Sequence, residues 1–170
     1  MRKILFFTII SSLCFSLSGQ MHEENSKITE FGYLFTNTGH GIHAGFSMVN
    51  KAENMHRYSL SYDFGDVGNA TTKYNVIKAD YVYLFSFYMN RLMYFNAGGG
   101  GFISCELLSN KILDMKKGRF SPGACIMFEF EVYHKHLGFG FTTRQMYRPF
   151  SIIGDWEYRF EFGLKYVIFQ

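Results

Sequence analysis

Between Trp156 and Ile168 the chain alternates without a slip. The even positions read Trp156, Tyr158, Phe160, Phe162, Leu164, Tyr166 and Ile168, and the odd positions between them Glu157, Arg159, Glu161, Gly163, Lys165 and Val167. Successive side chains of a strand point to opposite faces, so this spacing builds one continuous aromatic and aliphatic face and one largely ionic face. A helix would scatter the same charges around its circumference. The segment is therefore a long strand, and its fold must offer an apolar medium on one side and compensating charges on the other.

The same period runs upstream. Tyr58, Leu60, Tyr62 and Phe64 alternate with Arg57, Ser59, Ser61 and Asp63, and Ile77 through Phe87 alternates with Lys78, Asp80, Val82, Leu84 and Ser86. Ile126 to Val132 alternates with Met127, Glu129, Glu131 and Tyr133. Leu137 to Phe141 alternates with Gly138, Gly140 and Thr142, followed by Arg144. Weaker versions occupy Lys27 to Thr36 and Gly41 to Val49, and the segment Leu92 to Leu107 is interrupted by Gly98 to Gly101, which reads as a strand bend. These eight candidate strands fill residues 20–170 as one domain. Residues 1–19 read as a cleaved secretory signal peptide: Met1-Arg2-Lys3, an apolar run from Ile4 to Leu17, then small residues at Ser18 and Gly19. Beyond it no apolar run approaches the roughly 20 residues of a spanning helix.

Composition decides which face meets what. The chain is 48% hydrophobic and 19% aromatic but only 18% charged, and so much Phe, Tyr and Leu does not fit inside an eight-stranded barrel, whose interior side chains barely fill. The expectation is an all-β, eight-stranded antiparallel up-and-down transmembrane β-barrel in the outer membrane, with polarity reversed. Tyr81, Tyr83, Phe85, Phe128, Phe130, Phe139, Trp156, Tyr158, Phe160, Phe162 and Tyr166 are expected to face lipid. Arg57, Asp63, Lys78, Asp80, Glu129, Glu131, Arg144, Glu157, Arg159, Glu161 and Lys165 are expected to form a structural ion-pair network in the lumen. Connections after even strands read as short (Asn50 to Met55, Met89-Asn90, His134 to His136). Those after odd strands read mostly as longer (Asp66 to Thr72, Ser109 to Arg119, Arg148 to Asp155), with Asn37 to His40 the short exception. Tyr133, Tyr147, Trp156, Tyr158 and Tyr166 read as interfacial girdles. The competing architecture is a soluble, periplasmic, lipocalin-like ligand-binding barrel with the apolar face inward.

No constellation marks a catalyst, a cofactor or a metal, and the expectation is a protein that is not an enzyme. His134-Lys135-His136 reads as a solvated turn. His40 and His43 bracket another with no carboxylates nearby, and a lipid-modifying site built from His40, His43 and Ser109 is the enzymatic alternative. The glycine run lacks the Lys-Ser/Thr and helix start of a phosphate cradle. Loss of Arg2 and Lys3 with the signal lowers the formal charge from +3 to +1, leaving no basis for nucleic-acid binding. The only dense basic spot, Lys116-Lys117-Gly118-Arg119, reads as a solvated loop. Cys105 and Cys125 fall on opposite faces of neighbouring strands, which disfavours a disulfide.

From Tyr81 onward the residues also resemble the TraO family of conjugative-transposon transfer proteins. The likeness rests on Tyr81-Val82-Tyr83, on Tyr94 with Ala97 to Gly101 and Glu106, on Gly123-Ala124 and Glu129, and on Gly163-Leu164-Lys165-Tyr166. That resemblance implies an envelope component of a conjugative transfer apparatus, with outer-membrane lipid and other envelope proteins as partners. It supplies no catalytic residues. A general adhesion or envelope-stability barrel of the outer membrane would show the same physical features.

Overall fold

The computed structural model describes residues 24–67, 72–90, 92–110 and 115–168; the expected signal segment 1–19 lies outside them. Eight strands follow one another: β1 Lys27–Thr36, β2 Gly39–Val49, β3 Met55–Val67, β4 Thr72–Asn90, β5 Met93–Asn110, β6 Met115–His134, β7 Leu137–Tyr147 and β8 Trp156–Ile168. Each pairs antiparallel with the next, and β1 pairs with β8, closing the sheet into a barrel in chain order. Closure gives every strand a hydrogen-bonded neighbour on both sides over part of its length, which an open sheet cannot do for its edge strands.

The registers fix how far the strands lean. Lys27 lies opposite Met48, Met48 opposite His56, His56 opposite Tyr83, Tyr83 opposite Gly99, Gly99 opposite Ile126, Ile126 opposite Gln145, and Gln145 opposite Tyr158. Tyr158 then accepts a backbone hydrogen bond from Asn37, so one circuit returns to the first chain segment ten residues on, 37 less 27. With about 3.3 Å per residue along a strand and about 4.8 Å between strands, that stagger corresponds to a tilt of about 40°.

One end, here the lower, holds Lys27, Ile168, Leu92 and the connections 50–54 and 135–136; the upper end holds 37–38 and 148–155 together with the strand ends Val67, Thr72, Asn110 and Met115. At the lower end the Asn50 side chain accepts from the amides of Ala52 and Asn54 at 2.9 and 3.1 Å, folding the turn around Glu53 at φ 59°. Loop lengths differ less between the ends than the sequence suggests. The stretch read as a loop from Ser109 to Arg119 is mostly strand, β5 reaching Asn110 and β6 starting at Met115, so the basic Lys116-Lys117-Gly118-Arg119 lies on β6. The alternation fails there because both sheet faces leave the apolar band. The asymmetry sits in strand height instead. β6 meets β7 only from Ala124, opposite Tyr147, so residues 115–123 are carried by β5 alone. Pro122, with no amide hydrogen to donate, falls in this stretch with one neighbouring strand. The wall formed by β3 to β6 is tallest at β6, which rises about 20 Å above the last β6–β7 pair, given the rise and tilt above.

The glycine run does not interrupt β5, whose pairing with β4 is continuous across it. A Cβ at Gly98 or Gly100 would stand 1.9 Å from the carbonyl oxygen of Tyr83 or Tyr81. Only glycine lets the backbones approach so closely where the sheet curls. Cys105 faces outward and Cys125 inward, and both are free thiols.

Candidate functional site

The strongest concentration of chemistry lies inside the barrel. Alternation sends every second side chain inward, and the interior is layered from the lower end upward. The floor is apolar: Ile28, Val49, Met55, Leu84, Tyr94, Tyr133 and Val167 are buried in one cluster, which continues up one wall through Val82, Phe102, Cys125, Met127 and Met146. Tyr133 therefore belongs to the floor rather than to an outer girdle, because it shares the inward parity of Glu129 and Glu131.

Above the floor, Arg57 is wholly buried and bridges two strands. Its Nη2 donates to Glu30 and its Nη1 to Glu129. Lys165 donates to Glu129 Oε1 at 2.7 Å and also to Glu131. Glu129 further accepts from Asn96 Nδ2 and Thr142 Oγ1, each at 3.0 Å, and His43 Nε2 lies 3.1 Å from Glu30 Oε1. A second tier follows. Arg144 Nη1 donates to Asp80 at 2.8 Å and its Nε lies 3.1 Å from Glu161, while Ser59 Oγ donates to Asp80 at 2.6 Å. In the third tier Arg159 Nη2 donates to Asp63 at 2.6 Å, and its other nitrogens reach Glu157 and Glu161, each at 3.3 Å. Lys78 joins Asp63 to Glu157. Burying one such charge without a partner costs several kcal/mol, so the register that brings these groups together is part of what holds the barrel in shape.

The mouth is covered by the connection 148–155. Arg148 Nη1 lies 3.1 Å from Glu157 and 3.5 Å from Glu106, and Glu106 Oε2 accepts from Ser151 Oγ and the Ile152 amide, both at 2.9 Å. A single buried carboxylate on the tall wall thus pins the loop across the barrel.

The structure gathers all the residues expected in the lumen, Arg57, Asp63, Lys78, Asp80, Glu129, Glu131, Arg144, Glu157, Arg159, Glu161 and Lys165, and buries each. It adds Glu30, Glu106 and Arg148, which sequence reading did not place in the lumen, and His43, which was read as bracketing a turn with no carboxylates nearby but lies inside β2 beside Glu30. Among the described residues, the buried acids Glu30, Asp63, Asp80, Glu106, Glu129, Glu131, Glu157 and Glu161 exceed the buried Arg and Lys by two, before His43 is counted. Charges of both signs packed this closely pair with one another and do not form the one-signed ring of a charge-selective filter. The trio His40, His43 and Ser109 is split: His43 points inward, whereas His40 packs outside against Phe64 with ring centroids 4.4 Å apart, and Ser109 shares the outward parity of Leu107. His136 Nδ1 lies 3.3 Å from the Val167 carbonyl oxygen in its turn. No group of three His, Cys, Asp or Glu side chains is placed to hold a metal among the described residues.

Outside, Tyr81, Phe85, Phe128, Phe139, Trp156, Tyr158, Phe160, Phe162 and Tyr166 are exposed, and Tyr83 and Phe130 partly so. Tyr62, Tyr147, Trp156 and Tyr158 ring the upper rim, with Tyr147 and Trp156 4.8 Å apart, and Tyr166, opposite Leu137, lies near the lower rim. Between the rims the outer face is mostly apolar, including Phe31, Leu60, Phe128, Phe160, Phe162 and Leu164, with Tyr83 and Tyr81, whose hydroxyl meets His56 at 2.9 Å, set among them.

No family model and no curated protein matches the chain. Solved structures do. The attachment invasion locus protein Ail of Yersinia pestis, in complex with the heparin analogue sucrose octasulfate, aligns with a TM-score of 0.62 at 10% identity, covering 86% of this chain and 100% of that one. Neisserial surface protein A aligns at 0.64 with 7% identity, over 83% of this chain and 95% of the other. The N-terminal β-barrel domain of Pseudomonas aeruginosa OprF aligns at 0.63 with 13% identity, over 84% and 98%. The fold is that of small eight-stranded outer-membrane barrels.

Proposed function

We propose that the chain is an outer-membrane barrel that conducts nothing and catalyses nothing, and that it serves as an envelope component of a conjugative transfer apparatus through its surfaces. The observation that carries the non-conducting part is the stacked interior: an apolar floor, tiers of ion pairs spanning the lumen, and a loop pinned over the mouth. The reversed polarity supports the membrane placement. A soluble ligand barrel needs Phe128, Phe160 and Phe162 inside and Glu129, Arg159 and Glu161 in water, and the side chains have the opposite arrangement. The conjugative role rests on the TraO resemblance.

Two measurements test this reading. Purified protein reconstituted into planar bilayers is expected to give no unit conductance; steady single-channel steps would overturn the sealed-lumen assignment. Deleting the gene from a donor strain is expected to lower transfer frequency without lowering donor viability; unchanged transfer would remove the conjugative role. A second reading, attachment to host or neighbouring surfaces, is favoured by the barrel likeness to Ail and by the tall wall at the upper end. Cell-adherence assays on the same deletion strain separate the two.

A further inference from the structure

The upper wall carries a charge pattern that the sealed lumen does not use. On its outer face, Asp66, Lys73, Ser109 and Lys116 form one row across β3 to β6: Asp66 opposite Lys73, Lys73 opposite Ser109, Ser109 opposite Lys116. Lys73 and Lys116 are both exposed and stand two strand spacings apart, about 10 Å. Below this row come Phe64, Asn75, Leu107 and Gly118, and below them Tyr62, Ile77, Cys105 and Phe120. Leu107 and Phe120 are more than half exposed, at 53% and 62%, so the apolar belt on this side climbs almost to the lysines. Beside them a groove of about 430 Å³ is lined by His40, Tyr62, Phe64, Asp66, Lys73 and Asn75. Lys117 and Arg119 have the opposite parity and belong to the other face of the wall, above the mouth.

We infer that this outer face binds a phosphorylated glycolipid of the outer leaflet. Lys73 and Lys116 take its phosphates, the rings of His40, Tyr62 and Phe64 line the groove for a sugar, and Leu107 and Phe120 lie against acyl chains. Continuity decides between a lipid and a soluble polyanion. The paired lysines sit directly above lipid-compatible side chains on the same sheet face, where a headgroup lies and a polysaccharide free in solution gains nothing from the apolar surface beneath. Basic side chains at a membrane surface attract anionic headgroups additively. The assignment rests on the outer-membrane reading and places the upper end outward.

The test uses the full chain folded in detergent and in phosphatidylcholine vesicles, with bisphosphorylated lipid A and its dephosphorylated form as probes. Native mass spectrometry is expected to show lipid A retained about tenfold more weakly by the K73Q/K116Q double variant than by the unaltered chain. The dephosphorylated probe is expected to be equally weak on both. K117Q/R119Q, on the other sheet face, is expected to keep the unaltered retention, and heat-dependent gel migration verifies that each exposed variant folds. Equal retention by K73Q/K116Q overturns the site. Loss confined to K117Q/R119Q does so too, as does heparin binding through Lys73 and Lys116 without lipid A binding. If the chain inserts in vesicles yet ignores lipid A, this site alone falls; if it fails to insert, the membrane reading falls with it.

Discussion

The two ends of the barrel are closed by different physics. The floor is shut by interlocking apolar side chains such as Leu84, Tyr94 and Met55, whose burial is non-directional and carries no charge. The mouth is shut by the connection 148–155, held through directional bonds that converge on Glu106 and Arg148. A layer that is merely packed resists opening at every point, whereas a loop hung on one carboxylate can be released by removing one group. The ion-pair tiers between the ends behave like neither. They are directional, yet so interconnected that no single pair opens the lumen.

That difference can be broken by substitution. The largest effect is expected in the tiers. Arg57→Leu leaves Glu30 and Glu129 buried without their bridging guanidinium, a loss of about 3–5 kcal/mol. Arg159→Leu is expected to cost as much, since Asp63, Glu157 and Glu161 all face it. Urea unfolding in lipid vesicles measures both, and unchanged midpoints would show that the interior charges do not hold the barrel. At the floor, Leu84→Ala is expected to cost about 2–5 kcal/mol through the cavity it leaves. That cost should be insensitive to salt, and a strong salt dependence would mean the floor is not the dry layer described. On the outside, Phe162→Arg is expected to destabilise by about 2–4 kcal/mol if it lies near mid-bilayer, and Phe120→Arg, on the upper wall, by about 1 kcal/mol or less. Equal costs would mean that the apolar belt is misplaced.

How much of this the sequence held depends on where the period is clean. From Trp156 to Ile168 alternation places every side chain, because lipid and lumen impose opposite demands on adjacent residues. The same rule places Arg57, Asp63, Lys78 and Glu129. It fails where one medium is missing. Lys116 to Arg119 lie on a wall that has left the apolar band, so nothing enforces alternation and the strand reads as loop. Glu30 escaped because Lys27 and Thr29, on the outward parity near the lower rim, are polar and blur the contrast. Arg148 continues the inward parity of Arg144 and Met146, a signal present but cut off by Pro149. Glu106 follows the glycine run, where side chains that could reveal the period are absent. Its role also depends on a loop more than forty residues away, |i−j| = 46, which no local pattern encodes.

Glu106 gives the most local and most selective effect. Its carboxylate accepts from the Ile152 amide and from Ser151 Oγ, and it faces Arg148. Removing the acceptor in Glu106→Ala should free the loop while leaving the floor and lower tiers intact, because none of their bonds passes through it. A hydrogen bond to a charged group contributes about 1.5–3 kcal/mol, so exchange of the Ile152 amide is expected to quicken by about tenfold or more, with proteolysis appearing within residues 149–154. Glu106→Gln keeps an oxygen for the amide but loses the charge facing Arg148, and should fall between the two. If Glu106→Ala instead lowers the global unfolding midpoint as far as Leu84→Ala, mouth and floor form one cooperative unit. If Ile152 exchange does not change at all, the loop is held by something other than this carboxylate. Between those outcomes lies the arrangement the bonding pattern implies: a fixed floor and a mouth that one residue keeps shut.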